Sequence, residues 1–322
     1  MNRQQTCHLL VAWAIAVLMG CRGCDERAEV QRAEPQRTEV PVKREPTLDA
    51  LDLPLEPESV MLEHRLLSLA GEVDGENRYP QAVMVTVLSG AEEVRACTGT
   101  AISRQVVLTA GHCVCTKRPL EPSPGGGRSI IDASGCFESS KVDTLLYTSR
   151  PEPGFTLRDS RGTVHDGRVQ PHPSLRVVLD EQGRVSSSRA DLALIFLSRP
   201  LEFPGLPLDE EEVRLGELIT VVGYGYDEVV DVFGSERRFS TNKVTRLMLG
   251  ADERVVIEQP GGHRYRQDSG GPCLREGAKG PLLVGISGRW LGEGAACISL
   301  HGYRGWMREA IQRAQTPGPD RR

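Results

Sequence analysis

Apolar and polar residues change over in short runs along most of this chain, and few stretches carry the longer helical rhythm. Val83, Val85 and Val87 alternate with Met84 and Thr86. That period of two turns one face of a strand toward a core. Nearly continuous apolar runs at 106–108, 192–197, 218–222, 255–257 and 282–284 predict buried strands. Between them lie Gly, Pro, Asp and Ser. The expected class is therefore all-β, a barrel or a sandwich. Helical spacing is confined to the end, where Tyr303, Trp306, Met307, Ala310, Ile311 and Ala314 recur at intervals of three and four as one apolar stripe. Pro317 and Gly318 stop it. No internal repeat is visible. Gly125, Gly126 and Gly127, after Pro124, read as a flexible loop tip.

The pattern at the start is of another kind. Residues 9–20 form an apolar run of twelve behind Arg3. A membrane span needs about 20 residues, so this is a secretory signal core. It closes on Leu18-Met19-Gly20-Cys21, which resembles the lipobox of bacterial lipoproteins. By that resemblance Cys21 becomes the lipidated first residue, and Arg22 after it points to the outer membrane rather than the inner. The alternative is plain signal cleavage nearby. Residues 22–63 are dense in charge and proline, without aromatics. Such a stretch buries too little surface to offset its ordering entropy. It is expected to be a disordered tether, or else an inhibitory pro-segment. The expected organisation is a signal over 1–20, a lipid-anchored tether or a pro-segment over 21–65, a folded domain over 66–315 and a tail over 316–322.

Composition changes this picture little. The 322 residues are 39% hydrophobic with a net charge of −5. That suits a globular chain and offers no basic excess for nucleic acid. The nine cysteines matter more, because they suit an oxidising compartment. Setting aside Cys7 in the signal and Cys21 leaves an odd number, so one thiol stays single.

Candidate chemistry sits in three stretches. Asp268-Ser269-Gly270-Gly271-Pro272 places a serine on a glycine-rich turn. A serine hydroxyl needs a base to take its proton and backbone N–H groups aimed at the developing oxyanion. The base is His112, in Leu108-Thr109-Ala110-Gly111-His112-Cys113 behind a buried strand. A Cys97–Cys113 bridge would fix its place. The acid is Asp191, heading the apolar strand 192–197. A buried carboxylate needs a partner, and His112 is that partner. His64, His165 and His301 show no ligand spacing and are expected to be surface or structural; no metal cluster appears.

Taken together, these stretches resemble the trypsin/chymotrypsin family of serine proteases, whose chain order is also His, Asp, Ser. The resemblance covers about residues 66–313. Arg78-Tyr79-Pro80-Gln81, Pro171-His172-Pro173, Val222-Gly223-Tyr224-Gly225 and Tyr303-Arg304-Gly305-Trp306-Met307 support it. It implies two six-stranded Greek-key β-barrels with the active site between them, a C-terminal helix, no cofactor and no metal. It also implies catalysis by His112, Asp191 and Ser269, with an oxyanion hole from the N–H groups of Gln267 and Ser269.

Several positions depart from the family. Gln267 stands where it usually has glycine, so one oxyanion donor is in question. No activation sequence is present; Arg65 is a loose counterpart, and a new amino terminus near it would have to reach Asp268. Tyr265 stands where the family often has a cysteine. Cys273 and Cys297 instead fall on strands expected to be adjacent beside the specificity pocket and are expected to pair. Cys115 and Cys136 would tie an inserted loop, leaving Cys24 single. In an ungapped comparison His263 takes the pocket floor, with Arg264 after it. Ala295 takes a pocket wall position, excluding large side chains, and the wall near Ser287, Gly288, Arg289 and Trp290 would take substrate backbone. The expected function is a monomeric envelope endopeptidase acting on proteins or peptides. Its rivals are an inactive binding module of the same fold and an esterase-like hydrolase.

Overall fold

A computed structural model describes residues 71–89, 92–120, 127–148, 160–227, 236–248, 253–258, 265–266, 268–289 and 295–315, all within the unit Leu55–Arg322. The expected signal, Cys21, Cys24 and the expected tether or pro-segment lie outside the described residues. The apolar runs read from the sequence do become strands, and twelve of the strands close into two antiparallel barrels.

The first barrel comprises β1 (Ala82–Ser89), β2 (Glu92–Ala101), β3 (Val106–Thr109), β4 (Ser139–Tyr147), β5 (Ser160–Pro171) and β6 (Ala193–Leu197). They run round the ring as β6-β3-β2-β1-β4-β5, and β5 closes on β6. The second comprises β7 (Leu218–Gly223), β8 (Arg238–Met248), β9 (Arg254–Ile257), β10 (Pro272–Gly277), β11 (Gly280–Ser287) and β12 (Ala296–Ser299). Its ring runs β8-β7-β10-β11-β12-β9 and closes through β8 and β9. Counted from each barrel's own first strand, the two ring orders are the same. The fold is thus built on a structural duplication that the sequence does not display.

Alternation explains the interiors. Val83, Val85 and Val142 point inward with Val107 and Ile195, all at most 1% exposed. Gly99 and Gly167 let these side chains meet, since a Cβ on Gly167 would lie 2.3 Å from Ile195 Cγ2. The second barrel holds Ile219, Val244, Val255, Ile257 and Val284 around the Cys273–Cys297 disulfide. Those two cysteines are not on adjacent strands as expected. Cys273 on β10 and Cys297 on β12 flank β11, and Gly285 between them has no side chain to obstruct the bridge.

The insertion after His112 forms more than a loop. Arg118–Pro119 and Ser129–Asp132 join Arg176–Leu179 and Val185–Arg189 in a separate four-stranded sheet. The Cys115–Cys136 disulfide closes its base. Helix α2 (Arg304–Gln315) buries Met307 and Ala310, while Tyr303 and Trp306 meet the ring of His172 edge-on. Among the described residues no helix is long and apolar enough to cross a membrane.

Candidate active site

Strand register brings the first two chemical groups together. Ala193 at the start of β6 pairs with Thr109 at the end of β3. Asp191 just before β6 and His112 just after β3 therefore emerge at the same end of the barrel. His112 lies on the single turn α1 (Gly111–Val114). The Asp191 carboxylate accepts from the His112 backbone N–H at 2.8 Å and meets His112 Nδ1 at 2.6 Å. This double attachment fixes the ring's rotation as well as its place.

Asp191 is fully buried and His112 is 6% exposed. Burial pulls the Asp191 carboxyl upward, but the charge and two hydrogen bonds of His112, with the more distant guanidinium of Arg254, outweigh it and hold the carboxyl below its ordinary value. Two tight packings support the pair. A side chain on Gly111 would strike Leu175 at 2.6 Å. Ala190 turns the chain into Asp191 in the left-handed region, at φ +49°.

The serine turn comes from the second barrel and is clamped to the first. Thr98 N–H donates to the Ser269 carbonyl at 3.1 Å, and Thr100 Oγ1 donates to the Gly270 carbonyl at 2.9 Å. Thr109 Oγ1 donates to the Thr98 carbonyl at 2.9 Å behind them. These three threonines are fully buried. From the other side, Gly270 N–H donates to Ser287 O and Ser287 N–H donates to Gly271 O, both at 2.8 Å. Gly270 is obligatory, because its φ is +89° and a Cβ there would lie 2.2 Å from Thr98 O. The Asp268 carboxylate accepts from Gly225 N–H at 2.9 Å, and side chains on Gly223 or Gly225 would collide with it.

The Cys97–Cys113 disulfide binds β2 to α1, and Cys113 Sγ lies 3.7 Å from the Ser269 carbonyl oxygen. Ser269 is thus set against the bridge that holds His112. Cys97, His112 and Cys113 gather ligand-type atoms within 4.8 Å of one another. Both sulfurs are engaged in the disulfide, so this is no donor set for a metal.

Of the substrate-wall residues, Ser287 takes part in the clamp. Gly288 has no room for a side chain, with Ile298 Cγ1 at 2.9 Å and Arg254 Nη1 at 3.0 Å from an added Cβ. Ala295 is half-buried and packs on the second barrel's core, its carbonyl accepting from Ile257 N–H. His263, Arg264, Gln267 and Trp290 lie outside the described residues.

Sequence reading missed the threonine clamp and Arg254. Arg254 is 2% exposed, donates through Nη1 to the Arg289 carbonyl at 2.8 Å, and leaves Nε and Nη2 without partners. Thr98 and Thr100 flank Gly99 on the face of β2 turned away from the barrel interior, toward the serine turn, and their alternation with Cys97, Gly99 and Ala101 was the signal that could have found them.

Two closed barrels joined at such a turn define a chymotrypsin-type fold. A trypsin-like peptidase domain model matches residues 97–286, more than half of the chain, and the protein belongs to that family. Among curated proteins it is similar to phenoloxidase-activating factor 1 of Holotrichia diomphalia, at 25% identity over 260 residues. That alignment covers 73% of this chain and 64% of the relative, so the chain spans less than two thirds of the relative's length. Among solved structures it is similar to a scabies mite inactivated protease paralogue, with a TM-score of 0.50 and 20% identity over 76% of this chain and 99% of that one. That likeness bears on the fold alone.

Proposed function

We propose that the protein is a serine endopeptidase that hydrolyses peptide bonds through an acyl-enzyme intermediate. The observation that carries this reading is the buried Asp191–His112 pair facing a serine turn clamped from both barrels. Ser269 Oγ attacks the peptide carbonyl as His112 Nε2 takes its proton. His112 then passes that proton to the leaving amine. Water, deprotonated by His112, releases the acyl group and restores Ser269. Asp191 holds the Nδ1–H tautomer and stabilises the imidazolium. The N–H groups of Ser269 and Gln267 receive the oxyanion; losing one such donor costs about 100- to 1,000-fold in rate.

The leader supports an envelope location, with Cys21 as lipid anchor. Replacement of Cys21 by Ala releases the protein from membranes under this reading, and unchanged fractionation refutes the anchor.

Labelling of the full chain with a fluorophosphonate, followed by peptide mapping, tests the activity. Label on Ser269, absent in Ser269→Ala, is the expected result. Folded protein that takes no label, before and after cleavage near Arg65, transfers the reading to the inactive binding module, for which Gln267 is the sequence's argument.

A further inference from the structure

The first barrel has a second functional-looking end. Along β6 the chain runs from Asp191 at the catalytic end to Arg199 beyond the opposite one, eight residues or about 26 Å at ~3.3 Å per residue. At that far mouth the barrel interior turns polar. The inward positions of β5 read Arg161, Thr163 and His165 from the rim downward, passing from exposed to buried. Thr144 and Leu146 of β4 face the same space, a cavity of 320 Å³ whose rim is completed by Arg199, Glu202 and their neighbours. That volume falls in the range of small-ligand sites.

Two features of the mouth remain unexplained by folding. His165 is 4% exposed, yet its Nδ1 has no hydrogen-bond partner. A buried ring nitrogen without a partner gives up its hydration with no hydrogen bond in return. The charges are also uneven. Arg161 pairs with Glu202 across the rim. Arg199 donates Nη2 to Val164 O at 3.3 Å, and its charge helps Lys141 to hold the Asp166 carboxyl below its ordinary value. Asp166, on the outer face of β5, is paired with Lys141.

We propose that this mouth is a binding site for a carboxylate carried on a short apolar stem. The carboxylate accepts from the Arg199 guanidinium and from His165, with the Thr144 and Thr163 hydroxyls beside it. The stem lies against Leu146, Pro200 and Phe203, which form the apolar part of the wall. The carboxylate can belong to a free small acid or to an acidic side chain of a polypeptide. Both present the same chemistry, and the site is separate from the catalytic end.

Calorimetric titration of the full chain at low salt tests it. The probes are 4-methylpentanoate against 4-methylpentanamide, and, on the Ser269→Ala variant to prevent hydrolysis, acetyl-Leu-Glu-Leu-amide against its Gln counterpart. At least one acidic probe is expected to bind ten times or more tightly than its neutral partner. Binding of the small acid assigns the site to a free acid, and binding of the peptide alone assigns it to a polypeptide. Arg199→Gln and His165→Gln are each expected to weaken that binding tenfold or more. Arg199 is exposed, so its variant carries the test should His165→Gln fail to fold. No heat with either acid, equal affinity for acid and amide, or affinity untouched by Arg199→Gln overturns the proposal.

Discussion

Two buried acid–base pairs serve this fold, and their difference separates chemistry from construction. Asp191 meets His112; Asp74 meets Arg237 at 2.6 Å, with both of the latter fully buried. Each carboxylate also accepts backbone N–H groups, from His112 in one case and from Arg78 and Tyr79 in the other. The cations differ. Arg237 is bound on every side, by the Leu145 carbonyl, the Tyr224 hydroxyl and Asn77. Burial works against its charge, but Tyr224 and Asp74 outweigh this and hold its protonation above the ordinary range. Tyr224 itself is pushed up to about 12 by burial. Arg237 and Tyr224 both keep their protons near neutrality. His112 instead presents an imidazole, a ring whose two nitrogens can accept and donate a proton, whereas a guanidinium only donates. One pair ties the amino-terminal segment and the second barrel to β4; the other sets an imidazole beside the serine turn, where the proposed function needs a base.

The largest effect that would sharpen this contrast is on rate. Asp191→Asn should slow fluorophosphonate labelling or peptide turnover by about 10⁴-fold, because the amide favours the wrong His112 tautomer. A loss below tenfold would mean that the pair is structural, like its counterpart.

Next comes the converse. Arg237→Met strands the Asp74 charge inside the protein, which should cost about 3–5 kcal/mol in urea unfolding. Labelling of the protein that remains folded should change less than threefold. Adding Asp74→Asn should restore part of the stability, since the uncompensated charge is then gone. Equal damage to rate and stability would erase the distinction.

Acid separates the pairs further. The Asp191 carboxyl is held low in the folded state. It therefore contributes stability above its unfolded value of about 3.9, and loses it as pH falls through the depressed folded value. The stability difference between wild type and Asp191→Asn should be flat above about pH 5 and shrink below pH 4. A difference independent of pH down to pH 2 would show that the carboxyl is not held low.

How much of this was legible beforehand depends on how local the signal is. The strands at 106–108 and 192–197 were plain because both faces are buried and the runs are wholly apolar. The class and the three chemical stretches followed from contiguous residues. Ring order was not legible, since the same six-strand path is traced twice by unrelated side chains. The Asp74–Arg237 pair joins positions 163 residues apart, and neither residue is unusual among its neighbours. The sheet built on residues 118–132 and 176–189 likewise needs two distant segments, so the first of them read as a loop. The disulfide between Cys273 and Cys297 was named, but Gly285 on the strand between them could not be placed without a register.

The smallest effect concerns the arm that carries Asp191. Ala190 sits at φ +49°, which costs a residue with a Cβ about 1–2 kcal/mol. Glycine would relieve that strain, but it frees the unfolded chain by roughly 0.4–1 kcal/mol. It would also give up the burial of a methyl group that is now 1% exposed, worth about 0.8 kcal/mol. The three contributions nearly cancel, so Ala190→Gly should leave stability within about 1 kcal/mol of wild type. Labelling of Ser269 should also stay within twofold, because Asp191 remains fixed by its two bonds to His112 and Leu192 N–H still reaches the residue 190 carbonyl at 2.7 Å. A fall in labelling without a fall in stability would show that the methyl group itself aims the carboxylate toward His112.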